Sequence, residues 1–203
     1  MGVDTRDNAF LNVPYDRRYE GLYLAFIAGL SAFGLAPHAT VELAGSQRRL
    51  DRIIRLLRSC RYSFHDLSRV SLDRNPPATP RFNMPFELGL AATYRPSMRH
   101  RWFVFEEQRH RLMPEGVLRA LANALVRRRH RPTAAELSAV YQDVRRSATA
   151  VRRDLRTKTL FEARSFDELV VAGRISAERR IPSLRRRRQG RPTGKGTVSR
   201  GGR

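Results

Sequence analysis

Three times in the first hundred residues, a short apolar run gives way to a stretch of helical periodicity, and a fourth apolar run follows. Residues 8–14 (NAFLNVP) are apolar and stopped by Pro14, as a short buried strand would be. From 18 to 33 the apolar residues Tyr19, Leu22, Tyr23, Phe26, Ile27, Leu30 and Phe33 fall on one helical stripe, and Gly34 is placed to cap its end. Residues 39–44 (ATVELA) read as a second strand, and Ser46 as the cap of a helix carrying Leu50, Ile53, Ile54 and Leu57. Residues 62–67 (YSFHDL) give a third strand and 69–80 a Pro-rich loop. A helix over 83–95 begins near Asn83 and Pro85, and 101–105 (RWFVF) is a fourth strand. Alternation of this kind with short connections predicts a parallel sheet with helices on both faces. Ligands of such sheets sit beyond the carboxyl ends of the strands, which directs attention to Tyr15, Asp16, Asp66, Ser68 and the start of the 83–95 helix.

After residue 107 the pattern becomes helical. Residues 115–129 read as a helix, Thr133-Ala-Ala-Glu136 as a capping box opening a long one, and Ser165-Phe-Asp-Glu168 as a second box opening a short helix to about Gly173. From Ser183 the chain is Arg, Gly, Ser, Thr and Pro, so disorder is expected there. The expected division is therefore 1–114 as an α/β domain, 115–182 as a helical segment and 183–203 as an Arg-rich tail.

The formal net charge is +21, and nearly all of the positive charge is arginine; Lys158 and Lys195 are the lysines. A GC-rich coding bias explains such usage without any function, whereas clustered arginine also suits a polyanion. The tail, with arginine at each of residues 185–188, is the part expected to meet nucleic acid without sequence specificity; it carries no aromatics for base stacking. The single Cys60 rules out an internal disulfide or a Cys-based zinc site. No His or Cys cluster has metal-ligand spacing and no Gly-rich phosphate loop is present, so no metal is expected. No apolar run approaches a membrane span, and the N-terminal residues lack an apolar signal core, so a cytosolic protein without membrane contact is expected.

The order AFLNVPYDRRY, then GLAPHATVE, then CRYSFHDLSRV, then RFNMPFELGLA resembles bacterial Toll/interleukin-receptor-like (TIR-like) and predicted nucleotide-binding proteins. In that family a first strand ends in a Pro-aromatic-Asp turn, a third in Asp-Leu-Ser/Thr, and a following helix starts with Asn and contains Glu-Leu-Gly-x-Ala. The pattern is also similar to nucleoside deoxyribosyltransferases, and it covers about residues 8–105. The resemblance implies a flavodoxin-like sheet of four or five strands; no fifth strand is legible after residue 105. It also implies that Glu87 is the carboxylate of N-glycosidic chemistry, with Tyr15, Asp16, Asp66, Ser68, Asn83 and Phe86 around a nucleotide or nucleoside such as NAD, bound as substrate or ligand. A role in defence against phage or stress is implied in the same way.

Physical chemistry supports the chemical half of that implication. Cleavage of a ribosyl–base bond passes through an oxocarbenium-like state that a nearby carboxylate stabilises or traps, and a neutral leaving group needs little acid help. Early in its helix, Glu87 is favoured in the ionised form, and Gly89 would allow a close approach by a ligand or strand. The alternatives are that Glu87 binds a ligand without turnover or only holds structure, that Asp66 caps the next loop and that Asn83 caps its helix. Arg17 or Arg18 is also placed to meet a phosphate near the N-terminus of the first helix, although simple exposure suits both; His65 and Cys60 read as core residues. Three function classes follow: an N-glycosidase or transferase, a non-catalytic signalling or sensor module that also self-associates, and a nucleic-acid binder acting through the tail.

Overall fold

The computed structural model describes residues 7–42, 48–68, 82–93, 100–106, 114–124, 131–156 and 159–184. Four strands, β1 (Asn8–Asn12), β2 (Ala36–Ala39), β3 (Tyr62–Asp66) and β4 (Arg101–Phe105), form one sheet in the order β2-β1-β3-β4. Every pairing is parallel. The order reverses between β1 and β3, which is the switch point where doubly wound sheets open a crevice. The fold is therefore α/β with a four-stranded parallel sheet among the described residues.

Alternation along the strands sorts the helices. Ala9, Leu11, Tyr62 and Phe64 face α1 (Glu20–Ala32), while Phe10 packs with Ile53, Leu56 and Leu57 of α2 (Arg49–Ser59) and Ala91 of α3 (Asn83–Thr93). A turn of 3-10 helix, Arg17–Tyr19, leads into α1, and Gly34 closes it at φ 70°, a left-handed conformation that glycine adopts without strain.

α1 is more deeply buried than a single apolar stripe requires. Every residue from 22 to 32 is buried, including Ala25, Ala28, Gly29, Ser31 and Ala32 on the side away from the stripe. A helix apolar all round lies inside a core. Here the outer side is covered by α4 (Pro114–Ala124), α5 (Ala134–Asp154) and α6 (Ala163–Arg180), which pack on α1. Small residues make the approach close. A Cβ on Gly173 of α6 would lie 2.8 Å from Ser31 Oγ, so any larger residue there would force Ser31 or the helices to shift. One buried cluster runs without a break from the sheet through α1 to α4, α5 and α6.

Three expected elements differ. The second strand is Ala36–Ala39, not 39–44. Pro37 argued against a strand, but β2 is an edge strand, where a missing N–H is tolerated. Residues 40–42 form a 3-10 turn instead. The Ser165 box does not cap a helix: α6 starts at Ala163 with Glu162 in the cap position, and Ser165 is buried within it. Nor does α6 stop near Gly173; it continues to Arg180, because the residues beyond 173 pack on α5. By contrast, the Thr133–Glu136 box is present in full, with both reciprocal bonds. Ser46, the 69–80 loop and the tail beyond 184 lie outside the described residues; at the described start of α2, Arg48 holds the cap position and makes no side-chain cap bond.

Candidate functional site

Because every strand is parallel, the segments after β1, β2 and β3 emerge at one rim. Tyr15 follows β1, Thr40 follows β2, Arg49 opens α2, and Glu87 sits in the second turn of α3. Arg49 Nη2 donates to Glu87 Oε1 at 2.9 Å. The glutamate is only 2% exposed, whereas the arginine side chain is 54% exposed. Burial raises the Glu87 carboxyl above its ordinary value, and the hydrogen bond and charge of Arg49 oppose that rise. The Glu87 carboxyl group is thus held inside the protein beside a cation that reaches in from the surface.

Tyr15 belongs to the same group. Its hydroxyl donates to the Leu11 carbonyl at 3.3 Å and accepts from Thr40 Oγ1 at 3.4 Å. Burial first, and the nearby negative charge of Glu87 second among the raising causes, push the phenol up to about 12, so it stays protonated at neutral pH. Its ring meets Tyr23 edge-on and lies against Phe161, from the connection between α5 and α6. The connection between α5 and α6 therefore reaches the rim of the sheet.

Beneath the rim runs a chain of buried polar groups on the α2/α3 side. Asn12 Nδ2 lies 2.9 Å from His65 Nδ1 and also donates to the Met84 carbonyl at 3.3 Å. His65 Nε2 lies 2.9 Å from Ser63 Oγ, which lies 2.9 Å from His100 Nε2; His100 Nδ1 is 2.9 Å from the Cys60 carbonyl. One assignment of hydrogens satisfies every partner: Asn12 donates to His65, His65 Nε2–H to Ser63, Ser63 to His100, and His100 Nδ1–H to Cys60. This requires both imidazoles to be neutral, and burial lowers both, His65 to about 3. Through Met84 the chain pins the first turn of α3, three residues before Glu87.

The remaining expected site residues are placed as follows. Asp16 accepts from the Arg18 N–H at 3.1 Å and caps the turn into α1. Asp66 accepts from the Ser68 N–H at 2.7 Å, capping the loop that it opens, and the Ser68 carbonyl accepts from the Tyr19 hydroxyl at 3.5 Å. Asn83 is the first residue of α3 rather than its cap; the Phe82 carbonyl takes the Phe86 N–H, and Asn83 Nδ2 points to Met84 Sδ at 3.5 Å. Phe86 and Phe82 are exposed beside Glu87. Gly89 is exposed and a Cβ there would meet nothing within 4 Å, so no described strand approaches it. Arg17 and Arg18 are both exposed, while His65 and Cys60 are buried.

Arg49 and Thr40 were not anticipated. Arg49 is one of many arginines, with nothing local to distinguish it from Arg48 or Arg52. Thr40 was hidden by the misplaced second strand; moving that strand back to Pro37 would have put it at the rim. Among the described residues, no three His, Cys, Asp or Glu side chains gather as metal ligands do, and no helix is long and apolar enough to cross a membrane. Compared with protein-family models, with curated proteins and with solved structures, the chain matches none.

Proposed function

We propose that this chain is a TIR-like domain that binds a nucleotide or nucleoside at the rim between β1 and β3 and acts on its N-glycosidic bond, with Glu87 as the key carboxylate. The observation that carries this reading is the Glu87 carboxyl group itself: buried, at the carboxyl end of a parallel sheet, and bonded to Arg49. As the bond from the sugar to the base breaks, its electron pair leaves with the base and positive charge grows on the sugar. A carboxylate in a site shielded from water stabilises that charge far better than one in solvent. Arg49, half-exposed at the start of α2, suits a ligand phosphate once substrate draws it from Glu87. Phe82 and Phe86 offer exposed faces for a base.

Incubating the protein with NAD and a panel of nucleosides tests this. The expected result is release of base, lost by at least about a hundredfold in Glu87→Gln while the circular dichroism spectrum is unchanged. Undiminished release in that variant would remove the catalytic assignment.

The same ion pair favours a second reading, in which a nucleotide is bound and signalled without turnover. Glu87 already has a full partner in Arg49, and a module that only binds needs no free carboxylate. That reading expects a nucleotide to raise the melting temperature with no product formed.

A further inference from the structure

α5 and α6, which contribute nothing to the Glu87 cluster, carry a second concentration of charge. Asp143 of α5 is buried, and three guanidiniums converge on it. Arg180 donates through Nε to Oδ2 at 2.8 Å and through Nη2 to Oδ1 at 3.1 Å, while Arg179 donates to Oδ2 at 2.8 Å. Arg146 pairs with Oδ1, and the Ser176 hydroxyl donates to Oδ2 at 2.5 Å. Arg180 first, then Ser176 and Arg179, hold the Asp143 carboxyl well below the usual carboxylate range.

One carboxylate cannot neutralise three guanidiniums. The two-point bond from Arg180, with Ser176, is enough to clamp α5 to α6. Arg146 and Arg179 add two further positive charges that the clamp does not require, and their side chains are 71% and 62% exposed. Both line an open groove of about 460 Å³ together with Ser147, Ser176 and Ile175, in which Asp143 is the only acidic lining residue. A guanidinium has five N–H donors, and Asp143 occupies one nitrogen each of Arg146 and Arg179. Such paired, partly neutralised guanidiniums suit phosphate oxygens.

The surroundings indicate a chain of phosphates rather than one. Arg153, seven residues beyond Arg146 and so on the same stripe of α5, is 78% exposed. In the sequence, α6 ends at Arg180 and four consecutive arginines follow at 185–188. No aromatic residue lines the groove, so base stacking has no platform there. We propose that the α5/α6 groove is a separate binding site for the phosphodiester backbone of a nucleic acid, with Arg146 and Arg179 as its phosphate-contacting residues. It reads the backbone without reading sequence.

Binding of a labelled duplex of about 20 base pairs to the full-length chain, titrated across salt, tests this by the linear fall of log K with log salt. In Arg146→Ala/Arg179→Ala the slope should shrink by about 2, with affinity at 0.1 M salt roughly tenfold weaker, since each phosphate contact contributes about 0.9 to the slope. Unchanged affinity and slope in a folded double variant would overturn the proposal. So would complete loss of binding when residues 185–188 are changed to Gln with the groove left intact. Should the double variant fail to fold, Arg146→Gln alone, at a mostly exposed position, should reduce the slope by about 1 and leave the melting temperature as it was. Thermal stabilisation by pyrophosphate exceeding that by duplex, and lost in Arg146→Ala/Arg179→Ala, would assign the groove to a small phosphorylated ligand and also overturn it. None of these outcomes depends on Glu87.

Discussion

Towards α1 the sheet presents Ala9, Leu11, Tyr62 and Phe64, and behind α1 lies a further layer of three helices. Towards α2 and α3 it presents Phe10, Asn12, Ser63 and His65, backed by a small apolar cluster and bordered by exposed Phe82, Phe86 and Trp102. The first side is apolar and deep; the second is thin and threaded by hydrogen-bonded polar groups. Buried polar groups cost free energy unless each partner is supplied, so they are affordable only where another region stabilises the fold. The α1 side supplies the cohesion that allows the other side to keep a buried glutamate and two neutral histidines inside the protein.

The contrast can be broken most sharply in the core. Phe26→Ala, which empties a fully buried site against Phe64 and Phe105, should cost about 4 kcal/mol by urea unfolding, and Leu56→Ala on the thin side about 2 kcal/mol. Equal costs would mean that the two sides share the load. Acid should then act on the thin side. His65 stays neutral in the folded state down to about pH 3 while its unfolded counterpart takes a proton near 6.5. Its contribution is complete above that value and declines as pH falls, by about 1.4 kcal/mol per unit, or roughly 3 kcal/mol by pH 4.5. Unfolding curves from pH 7.5 to 4.5 should show this decline, and His65→Gln should flatten it.

On the outer layer, Asp143→Ala leaves three guanidiniums facing one another. About 2 kcal/mol is expected, below the ~3–5 kcal/mol of a fully buried pair because Arg146 and Arg179 are mostly in solvent. Since that carboxyl is depressed, its contribution is present above about pH 4 and lost on further acidification, so the parent and variant melting curves should converge there. The smallest effect is at Glu87. Its raised carboxyl means that ionisation costs stability: the contribution is present below the unfolded value and lost as pH rises through the folded one. Glu87→Gln should therefore be at least as stable as the parent at pH 7. A loss above about 2 kcal/mol in urea would instead make Glu87 a structural residue and erase the proposed division between the two sides.

Much of this was legible along the chain. Period and punctuation disclosed β1, α1 with its Gly34 cap, β3, α3, β4 and the Thr133 box, because each is decided by residues within a few positions of one another. The start of the 83–95 helix was legible as part of the rim because a parallel sheet brings the starts of its helices to one edge; Glu87 within it was singled out by the resemblance that FELGLA carries. The failures share a cause. Pro37 lies in a strand because β2 is an edge, and Ser165 lies within α6 because Phe166 and Leu169 are buried in the core cluster, anchoring the helix from its first turns. Neither fact is local.

Sequence alone determined the alternation, and with it a parallel sheet and its rim, since backbone periodicity and turn chemistry act over a few residues. Only the tertiary structure decided which cation meets Glu87, that α1 is enclosed on every side, and that three arginines gather on Asp143. Those depend on which surfaces pack together, and packing joins residues dozens of positions apart whose spacing along the chain records nothing of their meeting.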